Sequence, residues 1–255
     1  MKVSVVMSVW NAAATVRRAV LSAVRQNPDE MLAVDDGSTD GTPQILAELK
    51  RDHPCLRVER NEPKADDWQA ALYARLSAIV GEHVISMGAD DALDDGLVDS
   101  VRKHGEAAVV FHDYLVANTA GAITSGVWMG FNAVTWLTPE QVQQRMLTYP
   151  YACETGIGSS IRKKHLLWLI EREFWNLGPW SDAIGYSLIA AMHGCVFVPG
   201  AGAIFTQDDA GYGCSHRGGT RAAEYHTAAR RLVDSVDLPP GVRAAICTRR
   251  EVPYG

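Results

Sequence analysis

Two pairs of adjacent carboxylates, each directly after a short apolar run, are the part of this sequence best suited to chemistry. Asp35 and Asp36 form the first pair, and Asp90 and Asp91 form the second. Each apolar run is typical of a buried strand, and ligands of an open parallel sheet bind outside the carboxyl ends of its strands. The four carboxylates are therefore expected to face one crevice. Like charges so close together ionise only at a cost, so the pattern predicts a divalent cation that holds an anionic ligand there.

Each pair also has a purely local interpretation. Asp35 and Asp36 precede a Gly-Ser-Thr-Asp stretch, where an Asp side chain can shape a tight turn by binding its own backbone. Asp90 and Asp91 could lie at the start of the next helix, where acidic side chains complement the helix dipole. Asp94 can already fill that second role, so the position of both pairs after strands favours a metal and ribose site.

The first 114 residues alternate apolar strands with amphipathic helices. Repeated βα units of this kind predict an α/β fold with a mostly parallel, right-handed wound sheet and helices on both faces. The predicted strands cover 3–9, 31–34, 56–59, 83–87 and 107–114. The predicted helices are one capped by Asn11 with its apolar face over 16–24, one from Pro43 to about residue 50, one over 68–80 that ends at Gly81, and one around 97–101.

The second half of the chain is less regular and richer in Trp, Gly and Pro. Its predicted elements are a hairpin or loop over 118–130, helices over 139–147 (capped by Thr138), 162–172, 181–192 and 221–233, strands over 196–198 and 203–205, and a loosely held C-terminal tail. No linker separates two domains. The predicted organisation is one domain over 1–215, with a nucleotide-binding half (1–114) and an acceptor-binding half (115–215), followed by a C-terminal helix and tail (216–255).

The composition is that of an ordinary globular protein. The 255 residues are 47% hydrophobic and 21% charged, which is enough for one sizeable core. Asp and Glu outnumber Lys and Arg by 30 to 24, and this excess argues against nonspecific binding to nucleic acid or to an anionic membrane. No apolar stretch approaches the length of a membrane span, and the N-terminal apolar run is too short for a signal peptide.

The five cysteines are widely spaced and include no C-x-x-C pair. Their odd number and spacing fit a reducing compartment better than a disulfide framework. These features together predict a cytoplasmic protein with no nucleic-acid partner.

Three N-terminal blocks resemble, in order and in spacing, the signature blocks of family 2 glycosyltransferases. They are VSVVMSVWNA (3–12), VDDGSTDGT (34–42) and GEHVISMGADD (81–91). SSIRKK (159–164) resembles the acceptor-side segment of that family, and WSD (180–182) resembles the block that carries its catalytic base. The resemblance covers roughly residues 3–215. It implies a single GT-A domain that transfers a sugar from a nucleotide-diphosphate donor, most simply a UDP-sugar, with inversion.

The resemblance also implies roles for individual residues. Asp36 would contact the nucleobase, and Asp182 would be the general base that takes the proton of an acceptor hydroxyl. Mn²⁺ or Mg²⁺ would bridge the two donor phosphates. The implied nucleotide-sugar-binding residues are Ser8, Val9, Trp10, Asn11, Asp35, Asp36, Lys64 and Asp90; the implied metal ligands are Asp90, Asp91 and His216; and Trp180 is the implied acceptor-binding residue.

Two positions depart from the family pattern. Gly88 stands where the family usually has the first acid of Asp-x-Asp-Asp. Residues 71–73 read Ala-Leu-Tyr in place of the common Ala-Arg-Asn, so an Arg near the diphosphate is missing. Lys64 or Arg60 could substitute for that cation.

Several of these residues have an equally simple structural interpretation. Asp182 could be an ordinary first-turn acid that complements the helix dipole. His216 could either close over the diphosphate or be a solvated loop residue. His112 and Asp113, at the end of another strand, are similarly open, with Asp113 the second choice for the base.

The leading hypothesis is therefore an inverting, metal-assisted glycosyltransferase that acts on a hydroxyl-bearing acceptor, carbohydrate or other. The alternative is a nucleotide-sugar-binding protein that has lost catalysis, with Gly88 as the mark of that loss. A dinucleotide-dependent dehydrogenase is disfavoured because no G-x-G-x-x-G follows the first strand. A nucleotidyltransferase is disfavoured because the N-terminal region has no Gly-rich basic phosphate loop.

Overall fold

A computed structural model describes residues 1–65, 68–127, 129–148, 157–207 and 222–248, with the side chains at 179, 180, 201 and 222 outside the description. These residues form one α/β domain around a single ten-stranded sheet. Its strands are β1 (Val3–Val9), β2 (Glu30–Asp35), β3 (Leu56–Arg60), β4 (His83–Gly88), β5 (Ala92–Leu93), β6 (Val109–Ala117), β7 (Ile123–Val127), β8 (Thr135–Leu137), β9 (Ser160–Arg162) and β10 (Cys195–Thr206).

Helices cover the sheet on both faces, as the alternating pattern predicts. They are α1 (Val16–Val24), α2 (Thr42–Asp52), α3 (Trp68–Tyr73), α4 (Leu97–His104), α5 (Pro139–Thr148), α6 (Lys163–Ile170), α7 (Ser181–His193), α8 (Ala222–Asp234) and α9 (Pro240–Thr248), with short 3₁₀ turns at Leu76–Ala78 and Phe174–Trp180. Thr138 caps α5 as predicted, because its hydroxyl accepts from Gln141 N while Gln141 Oε1 accepts from Thr138 N. Among the described residues, no helix is long and apolar enough to cross a lipid bilayer.

The sheet is mixed: the four N-terminal strands are parallel, and β6 and β10 form a further parallel pair. The order is β3-β2-β1-β4-β9-β6-β10-β5, and the first four strands run parallel to one another. Strand β9 pairs antiparallel with both β4 and β6, and so joins the two halves of the sheet. The carboxyl ends of β1, β2 and β4 consequently lie side by side.

Alternate side chains of β1 divide the core into two layers. Val3, Val5, Met7 and Val9 pack in the cluster that includes α1, α2 and α4, whereas Val6 belongs to the cluster with α5 to α9. This division follows from the two-residue period of a strand. Burial on both faces explains why β1 and β2 read as continuous apolar runs.

The helix predicted over 68–80 is wrong beyond Tyr73. The backbone N–H of Arg75 donates to Leu72 O, and the side-chain Nη1 of Arg75 donates to Ala71 O. In a continuing helix, Ala71 O would accept from that backbone N–H. Lys163 Nζ then binds the carbonyls of Ser77 and Ile79, at 2.9 and 2.6 Å. Side chains thus replace the helical bonds after one and a half turns.

Two further differences lie in the C-terminal half. The strands predicted over 196–198 and 203–205 are one strand, β10, whose register against β6 shifts between Val198 and Ala203. Helix α9 stands where a loosely held tail is predicted. Its Val242 and Ile246 are almost fully buried in the same core as α7, so the C-terminal helices are integral to the domain. Helix α9 has only nine residues, and the spacing of its few apolar residues is too short a pattern to predict a helix.

Candidate functional site

The register of the parallel strands brings the two acid pairs to the same edge of the sheet. Val9, at the end of β1, pairs with Asp35, and Ser8 pairs with Gly88. Ser8 therefore lies between the end of β2 and the end of β4. The side chain of Val9 is buried in the core, and its carbonyl accepts from Asp36 N at 2.8 Å, so only its backbone borders the crevice.

Asp35 is committed to the fold. Its side chain is only 1% exposed, Oδ1 accepts from Ser38 N at 3.0 Å, and Oδ2 pairs with Arg60 Nη1. Arg60 also donates to Ser38 O at 2.9 Å. The interpretation of Asp35 as a residue that shapes a tight turn thus agrees with its contacts. Arg60 provides the counter-charge of Asp35, and so does not substitute for the missing family arginine.

Asp36 presents a different arrangement. Its Oδ1 accepts from Asn61 Nδ2 at 2.8 Å and from Ala65 N at 2.9 Å. Its Oδ2 has no hydrogen-bond partner among the described residues, although the residue is only 5% exposed. A carboxylate oxygen without a donor, on a residue so little exposed, is suited to accept one from a ligand.

Asn11 shapes the loop after β1 and does not cap α1, so that prediction is wrong. Helix α1 begins at Val16, and Asn11 has a left-handed φ of 46°. Its backbone N–H donates to Ser38 Oγ, and its side-chain Oδ1 accepts from Thr39 N, both at 2.8 Å. Asn is among the few residues that tolerate this conformation, so Asn11 fixes one crevice loop against the other.

Trp10 and Lys64 lie together at the edge of the crevice. Trp10 is 55% exposed, and Lys64 Nζ lies 3.6 Å from the centre of its ring, which is a cation–π contact. The backbone of Lys64 also packs closely on Gly37, whose positive φ of 72° suits glycine. The two predicted nucleotide-binding residues are therefore brought together by the loops after β1 and β3.

Asp91 is held by backbone amides on both oxygens. Oδ2 accepts from Gly88 N and Oδ1 accepts from Thr206 N, each at 2.9 Å. Burial, with the neighbouring Asp90 carboxylate, raises the pKa of Asp91 to about 7. The helix-start interpretation of this pair is wrong, since α4 begins only at Leu97.

Asp90 is tied to the rest of the site through its backbone. Its carbonyl accepts from Thr206 Oγ1 at 2.6 Å and from Arg18 Nη2. Arg18 in turn donates to Thr206 Oγ1 at 3.2 Å. These contacts join α1, the loop after β4 and the end of β10.

Gly88 leaves room that the two acids fill. A Cβ at this position would lie 2.6 Å from Asp90 Oδ1 and 2.8 Å from Asp91 Oδ2. One oxygen from each carboxylate therefore converges on the place where the family's first acid would begin. In this chain, the lack of a side chain at Gly88 leaves the space that the carboxylates of Asp90 and Asp91 occupy.

The donor set at Gly88 fits a hard divalent cation. Two converging carboxylate oxygens are the ligands that Mg²⁺ and Mn²⁺ prefer, and Mg²⁺ is commonly held by one or two carboxylates together with substrate phosphates. Over the part of the chain described, no group of three or more His, Cys, Asp or Glu side chains could hold a metal. A cation here would therefore depend on Asp90, Asp91 and the ligand. His216, the third predicted ligand, lies outside the described residues.

Asp182 is the second residue of α7. Desolvation by the surrounding protein raises its pKa, although the side chain keeps an exposed fraction. Its Oδ1 accepts from Ala183 N at 2.7 Å. Its charge also acts on the buried Tyr186, which shares a side-chain hydrogen bond with Ser86 of β4, two residues before Gly88. Asp182 thus lies one helical turn before a residue that bonds to the strand leading to the second acid pair.

The neighbouring segment also links α7 to the donor side. Gln69 Nε2 of α3 donates to Ser181 Oγ at 3.3 Å. The side chain of Trp180, the predicted acceptor-binding residue, lies outside the described residues. Its backbone ends the 3₁₀ turn that leads into α7, directly before Ser181.

His112 and Asp113 have structural contacts on every polar atom of their side chains. His112 Nε2 bonds with Ser100 Oγ and Nδ1 with Gly158 O, at 2.7 and 2.9 Å, and burial lowers its pKa to about 4. Asp113 accepts from the amides of Met129 and Gly200, at 2.6 and 3.0 Å. These contacts favour the structural interpretation of both residues.

The sequence interpretation missed Asn61 and Arg75. Arg75 Nη2 donates to Asn61 Oδ1, and Asn61 holds Asp36. Arg75 was hidden because it falls within the apolar stripe of the helix predicted over 68–80. The sequence offers one indication that Arg75 has a partner: it is a charged residue on an otherwise apolar helix face.

A family model for glycosyl transferase family 2 matches residues 4–167. The chain belongs to glycosyl transferase family 2. An uncharacterized glycosyltransferase of Mycoplasma genitalium is 25% identical over 124 residues, which are 45% of this chain and 42% of that protein. The chain thus matches less than half the length of that relative.

Solved structures share the fold over nearly the whole chain. TarS of S. aureus in complex with UDP-GlcNAc has a TM-score of 0.70 at 17% identity, over 98% of this chain and 72% of that one. The mannosyltransferase PcManGT from Pyrobaculum calidifontis, in complex with GDP-Man and Mn²⁺, has a TM-score of 0.61 at 16% identity, over 96% of this chain and 68% of that one. The predicted GT-A fold is confirmed.

Proposed function

We propose that this protein is an inverting glycosyltransferase that moves a sugar from a UDP-sugar to an acceptor hydroxyl. Residues 1–114 would bind the donor and residues 115–215 would contribute the acceptor side. The observation that carries the proposal is the position of the desolvated Asp182 at the start of α7, one helical turn before Tyr186, which bonds to Ser86 of the strand leading to the second acid pair. Membership of family 2 and the nucleotide complexes of the structural neighbours support the donor class.

The first acid pair provides a recognition site for the nucleotide. Asp36 Oδ2 can accept the imide N–H of uracil, since Oδ1 is already held by Asn61 and Ala65. Trp10 and Lys64 offer an exposed ring and a cation at the edge of the same loops. Ser8, Asn11 and Asp35 shape the crevice, and the N3–H of a uracil base would supply the donor that Asp36 Oδ2 lacks among the described residues.

The second acid pair provides the place for a divalent cation. Mn²⁺ or Mg²⁺ held by Asp90 and Asp91 would offset the negative charge that develops on the departing nucleotide diphosphate. The raised pKa of Asp91 supports this, because two nearby carboxylates without a cation resist ionisation.

Asp182 acts as the general base. It takes the proton of the acceptor hydroxyl while the acceptor oxygen forms its bond to the anomeric carbon and the bond from that carbon to the diphosphate oxygen breaks. Attack from the side opposite the leaving group inverts the anomeric centre. The raised pKa of Asp182 suits this task, since a carboxylate of ordinary pKa is a weaker base.

A second candidate is a nucleotide-sugar-binding protein without catalysis. The observation that favours it is Gly88, which removes one acid from the family pattern. Slow hydrolysis of a UDP-sugar in Mn²⁺, measured without an acceptor, separates the two: turnover supports the transferase, whereas tight binding with no turnover supports the second candidate.

The base assignment is tested with Asp182→Asn. We expect kcat to fall by roughly 10²- to 10⁴-fold, the usual range for a lost general base, while UDP affinity stays nearly unchanged. The matched control is Glu140→Gln, because Glu140 is also the second residue of its helix and complements the dipole of α5. If both variants retain near-normal turnover, Asp182 is only a helix-start acid.

The pH profile provides a second readout of the same residue. Because the pKa of Asp182 is raised, we expect kcat/KM to fall as pH decreases through a value above the ordinary 3.8 of an aspartate. This acidic limb should be absent from the residual activity of Asp182→Asn. An unchanged limb in the variant assigns the titration to another group.

A further inference from the structure

We propose that Arg75 is a positioning residue for nucleobase selection, which acts on Asp36 through Asn61. The inference rests on the proposed function, because it assumes that Asp36 recognises the base. It concerns a residue outside the signature blocks of the family. It depends on a continuous series of side-chain contacts from the end of α3 to the end of β2.

The contacts form one chain without a gap. Arg75 Nη2 donates to Asn61 Oδ1, which leaves Asn61 Nδ2 to donate to Asp36 Oδ1 at 2.8 Å. The amide orientation of Asn61 is fixed by this arrangement, since its oxygen must face the guanidinium. Ala65 N provides the second donor to the same oxygen of Asp36, at 2.9 Å.

Arg75 is itself held in place by two further bonds. Its Nε donates to Glu59 Oε2 at 2.7 Å, and its Nη1 donates to Ala71 O. Glu59 is anchored from its other oxygen by Arg57 Nη1 at 2.8 Å. A guanidinium can satisfy three directions at once, whereas a lysine ammonium at the end of a flexible chain lacks this fixed fork.

Selection of the base follows from the fixed carboxylate. With Oδ1 of Asp36 held by Asn61 and Ala65, Oδ2 is the oxygen left for a ligand. Uracil presents an N–H at its N3 position, whereas cytosine has an unprotonated acceptor nitrogen there and can offer a donor only from its N4 amino group, at a shifted position. Loss of Arg75 should therefore weaken UDP binding more than CDP binding.

The test compares UDP and CDP affinities by calorimetry in Mn²⁺, for the wild type, Arg75→Met, Arg75→Lys, Asn61→Ala and the double variant of Arg75→Met with Asn61→Ala. We expect the wild type to prefer UDP. Each variant should lose about fivefold in UDP affinity, comparable to one net hydrogen bond, and much less for CDP. The matched control is Arg102→Met, because Arg102 is likewise a partly buried arginine held by acidic side chains, here Asp29 and Asp99, but lies outside this network.

Four outcomes decide the proposal. A lowered ratio of UDP to CDP affinity in Arg75→Met and Asn61→Ala, with no further loss in the double variant, supports one connected chain. An unchanged ratio in folded Arg75→Met, or an equal loss of both nucleotides, overturns it. If Arg75→Met does not fold, an unchanged ratio in Asn61→Ala overturns it equally. If the wild type binds neither nucleotide, the proposed function itself fails.

Discussion

The two acid pairs occupy equivalent positions at the ends of β2 and β4, but the protein treats their charge differently. In the first pair, the more deeply buried Asp35 lies against the guanidinium of Arg60. The buried carboxylate of the second pair, Asp91, is held by two backbone amides, and its pKa is raised to about 7 by burial and by Asp90. The first pair thus has its counter-charge in the fold.

This difference separates two functions that the sequence makes look alike. Neutralisation of Asp35 leaves Asp36 as a recognition group in a crevice that needs no further cation. At the second pair, one oxygen from each acid converges beside Gly88, and burial together with Asp90 raises the pKa of Asp91 although the charge of Arg18 acts to lower it. We propose that a divalent cation binds at β4 and not at β2.

The largest expected effect distinguishes the members of the first pair by stability. Asp35→Asn should lower the free energy of unfolding by about 2 kcal/mol, because it weakens charge-assisted bonds to Arg60 and Ser38. Asp36→Asn should change it little, since an amide oxygen can still accept from Asn61 and Ala65. Urea unfolding of both variants measures this, and equal losses would contradict the division of roles.

The second prediction reverses the order of the same two variants. Asp36→Asn should lower UDP affinity by about tenfold or more, roughly 1.4 kcal/mol, because the amide presents a donor or a weaker acceptor to the base. Its loss should persist in EDTA, since no cation takes part in the base contact. A loss that appears only in Mn²⁺ would assign Asp36 to the metal site.

The pH dependence of the cation effect is expected to be several-fold. The pKa of Asp91 is raised from 3.8 to about 7, so its carboxylate form predominates only above that pH. The enhancement of UDP affinity by Mn²⁺ should therefore be greater at pH 8 than at pH 6. Asp91→Ala controls for ionisation of UDP itself. A pH dependence that is the same in this variant would belong to the nucleotide.

The smallest effect concerns the glycine between the acids. Gly88→Ala should lower UDP affinity in Mn²⁺ by about threefold, since the added methyl lies within 3 Å of both carboxylates and must displace them. Gly41→Ala is the matched control, because a Cβ there meets only Ala13, at an ordinary 3.6 Å. Equal affinities for the two variants would show that the acids need not converge.

The hypothesis of a site that has lost catalysis is tested by a different variant, Gly88→Asp. If the wild type binds UDP but shows no transfer or donor hydrolysis, restored hydrolysis in this variant would identify a site that lost one acid. If this variant also shows no hydrolysis and no transfer, the acceptor in the assay is not the one that the protein uses. The packing of Asp90 and Asp91 around Gly88 means that both side chains must move to admit the new one.

The succession of strands along the first half of the chain and the position of both acid pairs after them could be predicted from the sequence, because two-sided burial leaves clear apolar runs before the acids. The partners of those acids could not. Arg60 ends β3, 25 residues from Asp35, and Arg75 reaches Asp36 only through Asn61, so both arrangements depend on how distant parts of the chain return to the end of β2. The break after Tyr73 was missed because Lys163, far along the chain, supplies the donors that replace the helical bonds.

The most direct test of the difference between the pairs is calorimetric titration of UDP into the wild type and Asp91→Ala, each in Mn²⁺ and in EDTA. The wild type should bind UDP at least about tenfold more tightly in Mn²⁺, a difference of roughly 1.4 kcal/mol or more. Asp91→Ala should bind with one affinity in both buffers, and Asp90→Ala should show a reduced difference. Equal affinity of the wild type in Mn²⁺ and in EDTA would contradict a cation requirement at β4.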